Sequence, residues 1–181
     1  MLKLAVPSAL LLLLSLVATA AAQPAPELSQ EVRVTALGGA TLKAPAWKSV
    51  RSDEAVAVLE QAPDPAQKRP FHVLMVALEE GPSAGAAVPW DKIKENVVTA
   101  ATRTGRSLSL ELGDAWSGAK GFEGRYMSGS FRGSEEQQVG LELLALVKDG
   151  KLLTVSLVSE SVTADTRAIL QAVAATAALG G

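Results

Sequence analysis

The alternation of apolar and polar positions predicts strands along much of the chain. Leu108, Leu110 and Leu112 alternate with Ser109 and Glu111, which is the two-residue period of a strand with one buried face. Further extended segments are predicted at Val32–Ala36, Thr41–Pro45, Trp47–Arg51, Ala55–Gln61 and Arg125–Arg132. Gly113–Gly124, rich in glycine, is predicted to be an irregular loop between two of these strands.

Two other strand signals stand out. Phe71–Leu78 is a nearly continuous apolar run, which is typical of a central strand covered on both faces. It follows the proline-rich segment Ala62–Pro70, which is predicted to be a loop because proline donates no hydrogen bond to a sheet. Near the C-terminus, Gln138–Val147 and Lys151–Ser159 flank Asp149-Gly150, so they predict a hairpin with a primed turn.

Two segments have the spacing of amphipathic helices. The first begins at Pro89 or Trp90 and ends near Thr104, while the second begins at the N-cap Thr163 and ends at Gly180-Gly181. Their apolar faces consist of Trp90, Ile93, Val97, Ala100 and Ala101 in the first, and of Ile169, Leu170, Val173, Ala174 and Ala177 in the second. The second face is made largely of small residues, so this helix is expected to lie close to its neighbour.

The order of these elements predicts an α+β fold. Short connections between successive strands require antiparallel pairing, which disfavours doubly wound parallel sheets. We therefore expect a mainly antiparallel, twisted sheet with helices packed on it, formed by one domain over residues 31–181. Residues 23–30, which begin Gln23-Pro24-Ala25-Pro26, are expected to be an extended tether before it.

Residues 1–22 have the layout of a secretory signal peptide. Lys3 gives a basic start, an uncharged apolar run follows, and Ala20-Ala21-Ala22 fits the rule for cleavage after small residues. An uncleaved membrane anchor is the alternative, but Pro7 interrupts the run and no basic cluster follows it. The prediction is export to the bacterial periplasm or the extracellular space, with no stable membrane anchor if the signal is cleaved.

Composition excludes several kinds of site. The chain has no Cys and one His, so it can form neither a disulfide, nor a thiolate site, nor a metal site that needs two imidazoles. Its net charge of −2 and the lack of a basic run disfavour nucleic acid as a partner. No calcium loop and no phosphate-binding glycine motif occurs. No metal and no cofactor is therefore predicted.

Few residues could carry catalysis. Ser117 and Lys120 match a Ser-x-x-Lys pattern, but that spacing brings the amine to the hydroxyl only on a helix, and the flanking glycines favour a loop. His72 alternates onto the same face as apolar residues of its strand, which favours a structural role. Glu79-Glu80 and Glu135-Glu136 are adjacent pairs whose members point to opposite faces of a strand, so neither forms an acid–base pair. The chain is predicted not to be an enzyme.

Three large aromatic residues are candidates for contact with a partner. Trp116 and Phe122 lie in the glycine-rich segment, and Trp90 lies at the start of the first helix. Large apolar groups on a loop favour either contact with a partner or burial as an anchor. Both alternatives stay open for these residues.

One segment resembles a known family. Thr41–Lys48, with Pro45 and Trp47, resembles the "short strand, Pro, x, Trp" opening of PsbP-like domains, which include exported DcrB-like bacterial proteins. The resemblance continues as the order of elements over most of residues 31–179, although Ala46 stands where that pattern has Gly. It implies an α-β-α sandwich around an antiparallel sheet and an accessory or binding role without a catalytic site.

These observations favour an exported, soluble accessory or interaction protein that acts through surface contacts and has no catalytic activity. Its partner would be an unidentified protein. One alternative is a carrier that holds a small apolar ligand between sheet and helices, with room for it beside the alanine-rich final helix. The other alternative is a hydrolase that uses Ser117 and Lys120.

Overall fold

A computed structural model describes residues 26–61, 71–103, 107–132 and 138–180. The strands are β1 (Gln30–Val34), β2 (Ala40–Ala44), β3 (Lys48–Ser52), β4 (Val56–Gln61), β5 (His72–Glu80), β6 (Leu108–Trp116), β7 (Glu123–Arg132), β8 (Gln138–Lys148), β9 (Lys151–Ser159) and β10 (Ala178–Leu179). The helices are α1 (Trp90–Arg103) and α2 (Ala164–Ala175), and one turn of 3₁₀ helix spans Ala36–Gly38.

The large sheet has seven strands in the order β3-β4-β5-β9-β8-β7-β6, and every neighbouring pair is antiparallel. It consists of two meanders, β3-β4-β5 and β6-β7-β8-β9, which are joined where β5 pairs with β9 from His72–Ser159 to Glu80–Lys151. A small antiparallel sheet has the order β1-β2-β10. The antiparallel sheet expected from the short connections is confirmed.

The large sheet is covered on both faces by other elements. On one face, α2 and the small sheet bury a core that includes the fully buried Leu144, Leu153 and Leu157. On the other face, α1 packs on β6 and forms a second core around Ile93 and Met127. Helices therefore lie on opposite faces of an antiparallel sheet, and the predicted α+β sandwich is confirmed.

The predicted C-terminal hairpin is confirmed. Asp149 has a φ of 50° and Gly150 a φ of 74°, which are the positive values that a two-residue primed turn requires. Lys148 and Lys151 are paired directly beside the turn, and the pairing continues to Gly140 and Ser159. The aspartate–glycine dipeptide thus sets the register of β8 and β9.

The end of the chain differs from the prediction. Thr163 caps α2 as expected, since its Oγ1 accepts from the Thr166 amide at 3.2 Å and its own amide donates to Thr166 Oγ1 at 2.9 Å. The helix, however, ends at Ala175 rather than at Gly180-Gly181. The chain then turns and adds Ala178–Leu179 to the small sheet, because the edge of β2 still has free backbone groups to pair.

The glycine-rich segment is also more ordered than predicted. β6 extends to Trp116 and β7 begins at Glu123, so the irregular part shrinks to residues 117–122. An irregularity in the pairing between Leu112 and Ala115 absorbs the break in alternation at Gly113, and the two strands pair again beyond it.

Some predicted segments lie outside the described residues. They are the signal peptide over residues 1–22, the start of the tether, the proline-rich loop over residues 62–70, Gly105 and the pair Glu135-Glu136. Of the tether, Leu28 lies against the main core, two residues before β1 begins. Within the described ranges, neither helix has the length and apolarity needed to cross a bilayer.

Candidate functional site

A groove between α1 and the large sheet is the candidate site. It encloses a cavity of about 630 Å³, with Ile93, Val97 and Ala100 of α1 on one wall. Its floor comes from β5, β8 and β9, where Met75 and Leu143 are among the lining side chains. The lining is mainly apolar, so the groove suits a ligand with a substantial apolar part.

The groove exists because α1 covers only part of its face of the sheet. α1 packs on β6, at one edge, and leaves the opposite side of the face towards β4 and β5 open. In β5, Leu74, Val76 and Leu78 point to the main core, whereas Met75 points into the groove and is 40% exposed. The prediction that both faces of this strand are covered therefore holds for the face of Leu74, Val76 and Leu78, whereas the face of Met75 is covered only in part. An apolar run records only that both faces are apolar.

The two ends of the groove differ in polarity. Glu79, Glu80 and Lys92 lie at the end beside the β8–β9 turn, and Phe131 and Val158 lie at the other end. Along the floor between them, the Ser156 hydroxyl donates to the Met75 carbonyl at 3.5 Å. The chemistry available here is apolar contact, hydrogen bonding and charge pairing at one end.

The cavity that was expected beside the final helix, α2, is not observed there among the described residues. Leu170, Val173 and Ala174 of α2 are fully buried against the large sheet and the small sheet. The small residues on this face allow close contact, as predicted, and that contact fills the space in which a ligand was expected. The groove is instead on the opposite face of the sheet, under α1.

The Ser-x-x-Lys pattern lies in a turn rather than on a helix. Ser117 and Gly118 have no regular structure, and the chain turns at Ala119–Gly121 before the Phe122 amide donates to the Ala119 carbonyl at 3.2 Å. Ser117 and Lys120 are both exposed. The helical spacing that would bring this amine to the hydroxyl is therefore not formed.

The three aromatic candidates lie in different places. Phe122 is 8% exposed within the main core, with the Lys148 ammonium 5.4 Å from its ring centroid. Trp116 is half-buried against the same core, and Trp90 is half-buried against the second core. Burial as an anchor is thus observed for Phe122, while contact with a partner stays a prediction for all three.

Trp116 lies directly over the neighbouring loop. A Cβ on Gly118 would lie 2.2 Å from Cζ2 of its ring, so only glycine allows this close approach. The glycine-rich sequence after β6 therefore accommodates an indole ring and holds it in one orientation.

His72, the single imidazole of the chain, has a packed environment at the start of β5. It is buried, its ring stacks on Trp47 with centroids 5.6 Å apart, and its Nδ1 lies 2.7 Å from Gln61 Oε1. Burial lowers its pKa below the ordinary value, although the negative charge of Glu160 acts in the opposite direction. The shared face with Leu74 and Val76 is as the alternation predicted.

A buried polar cluster lies under α2, and the sequence reading missed it. Glu142 is 0% exposed, and its Oε1 accepts from the Tyr126 hydroxyl and from Arg167 Nε, the latter at 3.4 Å. The Arg167 guanidinium also lies over the Tyr126 ring, 4.5 Å from its centroid. The available signal was a single charged residue within the apolar run 139–147.

The cluster affects the acidity of its members. Burial, together with the neighbouring Glu142 carboxylate, raises the pKa of Tyr126 to about 12. The Tyr126 oxygen and Glu142 in turn raise the pKa of Arg167. Glu142 Oε2 has no hydrogen-bond partner among the described atoms. In the parts of the chain that the structure describes, no three His, Cys, Asp or Glu side chains are grouped so as to hold a metal.

Comparisons with known proteins concern the fold. No family model matches the chain, and no curated protein matches it in sequence. A crystal structure from Bacteroides thetaiotaomicron has a TM-score of 0.51 at 12% identity; the match covers 77% of this chain and 44% of that one, so it spans less than half of that protein. Such a likeness shows a shared fold alone.

Two further solved structures are similar to a lesser degree. Cyanobacterial PsbP from Synechocystis has a TM-score of 0.49 at 16% identity, and the match covers 83% of this chain and 91% of that chain. A Pseudomonas aeruginosa protein of unknown function has a TM-score of 0.40 at 14% identity, over 77% of this chain and 88% of its own. PsbP, whose domain the sequence resembles, is thus among the structures that are similar to this chain.

Proposed function

We propose that this chain is an exported, non-catalytic binding protein that holds one small apolar ligand in the groove between α1 and the large sheet. The observation that carries the proposal is the cavity of about 630 Å³ over a sheet face that α1 leaves partly uncovered. Cavities that bind small molecules have volumes of roughly 300–1,000 Å³, so this groove suits one such molecule.

The exposure of the groove floor supports a ligand. Met75 lies on an inner strand of the sheet and is 40% exposed, whereas its neighbours Leu74 and Val76 are buried. Large apolar side chains that remain exposed inside a concave site are typical of binding surfaces. A bound apolar molecule would remove the Met75 side chain from water and gain the hydrophobic free energy of that burial.

The placement of the reactive side chains supports a role without catalysis. Ser117 and Lys120 lie in an exposed turn, and His72 is packed between neighbours on the other face of the sheet from the groove. Among the described residues that line the groove, the carboxylates lie at one end and no hydrogen bond joins a carboxylate to a hydroxyl, since Ser156 donates to the Met75 carbonyl instead. Export is supported by the basic, apolar and small-residue order of residues 1–22.

Native mass spectrometry tests the proposal. The purified mature chain is mixed with a long-chain monoacylglycerol as an uncharged apolar probe, and we expect one bound molecule per chain. Ala100 lines the groove and is exposed, so Ala100→Trp should fill the space and reduce the bound fraction at least tenfold. A spectrum that shows only bare protein at saturating probe would refute the proposal.

A matched control is available on the same helix. Thr99 is exposed but does not line the groove, so Thr99→Trp adds the same side chain on another side of α1. This variant should bind the probe as the unmodified chain does. Equal loss in both variants would indicate damage to α1 rather than blockage of the groove.

A further inference from the structure

The charged residues at one end of the groove indicate the chemistry of the ligand's polar end. Resting on the proposed function, we propose that the ligand is a long-chain amphiphile with a zwitterionic headgroup, which carries an ammonium and an acidic oxygen group close together. Its headgroup lies between Glu79, Glu80 and Lys92, and its apolar chain extends along the groove towards Phe131 and Val158.

The shape of the groove requires an elongated ligand. Along β9 the lining runs from Leu152 to Val158, which is six residue steps at about 3.3 Å each, or about 20 Å. On the opposite wall the lining runs from Pro89, just before α1, to Ala101 near the end of that helix, which is a similar distance. A compact ligand would leave much of this apolar lining in contact with water, whereas an extended hydrocarbon chain covers it.

The distribution of charge orients the ligand. Glu79 and Glu80 end β5 beside Lys151 of the β8–β9 turn, and Lys92 is in the first turn of α1. At the opposite end the described lining includes Leu108, Phe131 and Val158 and no charged side chain. An amphiphile matches this arrangement in only one direction, with its polar end at Glu79 and Lys92.

The two signs of charge at the mouth select the headgroup. Glu79 alternates with Met75 onto the groove face of β5, Glu80 lies at the rim where the strand ends, and Lys92 lies on the helix side. No ion pair joins any of the three to another described residue. A purely anionic headgroup would meet the Glu79 carboxylate, and a purely cationic one would meet the Lys92 ammonium. A headgroup with both charges can pair with both walls, as electrostatic complementarity requires.

The test compares amphiphiles that share one alkyl chain and differ only in the headgroup. The probes are a lysophosphatidylcholine, an alkyl carboxybetaine, a fatty acid, an alkylammonium and a monoacylglycerol, each below its micelle concentration and titrated calorimetrically. We expect both zwitterions to bind about three- to fivefold more tightly than the other three. Tighter binding of the lysophosphatidylcholine than of the carboxybetaine would indicate a membrane lipid as the source of the ligand, and the reverse order would indicate another source. Either order supports the proposal.

Variants locate the headgroup. Lys92→Met keeps the aliphatic stem and removes the charge, and Glu79→Gln removes the facing carboxylate. Each substitution should weaken the binding of the zwitterions about three- to fivefold and leave the affinity for the monoacylglycerol unchanged. Lys94→Met is the matched control, because Lys94 is on the same helix, pairs with Asp91 at 3.9 Å and does not line the groove.

The outcomes separate the two proposals. If the fatty acid or the alkylammonium binds as tightly as the zwitterions, or if Lys92→Met changes nothing, the headgroup assignment is overturned while the binding function stands. If no amphiphile binds, the groove does not hold such ligands, and the proposed function fails together with this inference.

Discussion

Raising the pH tests the buried cluster under α2. The Tyr126 hydroxyl donates to Glu142 Oε1, so ionising the phenol would remove this donor and place a second negative charge beside a fully buried carboxylate. The pKa of Tyr126 is raised to about 12, whereas an unfolded chain releases this proton near the ordinary value of 10. Between these values the folded state binds more protons than the unfolded state, so stability falls as the pH rises.

The size of the loss follows from the shift. One pKa unit corresponds to about 1.4 kcal/mol, so two units predict a loss of about 2.7 kcal/mol in the free energy of unfolding between about pH 10 and pH 12. Lysines titrate in the same range, and Tyr126→Phe controls for them because it removes only the phenol. The difference in unfolding free energy between the native chain and this variant should change by about 2–3 kcal/mol over that range.

The measurement is direct because the chain has one tyrosine. The ultraviolet absorbance of tyrosinate, followed against pH in the folded protein, reports the pKa of Tyr126 alone. Glu142→Gln should lower that pKa, since it removes the negative charge, while burial keeps it above 10. Arg167→Gln should raise it further, because the guanidinium stabilises the phenolate.

Two results would refute this reasoning. A folded-state titration of the phenol near pH 10 would show that Tyr126 does not donate to a buried carboxylate. An unchanged phenol pKa in both Glu142→Gln and Arg167→Gln would show that the pKa of Tyr126 is set by burial alone and not by the charges around the phenol.

Three further predictions concern stability. Leu157→Ala should lower the free energy of unfolding by about 3 kcal/mol in urea titrations, whereas Met75→Ala should cost about 1 kcal/mol or less because Met75 is 40% exposed; equal costs would contradict an open groove. Thr163→Ala should cost about 1 kcal/mol through loss of the cap, and Thr163→Ser should restore most of it. The pKa of His72, the one imidazole of the chain, should lie below 6.5 when measured by NMR. The free energy of unfolding should therefore fall as the pH drops below 6.5, and a His72→Gln variant should lack this fall.

Much of the fold follows from local signals. The alternation at Leu108–Leu112, the turn dipeptide Asp149-Gly150 and the cap Thr163 each act through neighbours in sequence, and each was predicted correctly. Local signals fail where a distant partner decides the structure. Strand β10 depends on the free edge of β2, more than 130 positions earlier, and no pattern around Ala178 indicates it.

The site could be predicted only in part. The apolar run of β5 indicates that both its faces are apolar, but whether α1 covers Met75 depends on where the helix lies across the sheet. The side of the sheet that holds the groove is decided in the same way, by how closely α2 packs. Glu142 was detectable as a charge within an apolar run, yet its partner Arg167 comes from a helix that begins 22 residues later.

The pairing of β5 with β9 has a consequence for the folding pathway. Each meander joins strands that follow one another in sequence, whereas this single ladder links segments about 80 residues apart, such as Val76 and Val155. Closing so long a loop costs more chain entropy than closing a hairpin. We therefore expect the two meanders to form early and the pairing of β5 with β9 to be rate-limiting for folding. Substitutions in β5 and β9 should then slow refolding, whereas substitutions in the edge strands should mainly accelerate unfolding.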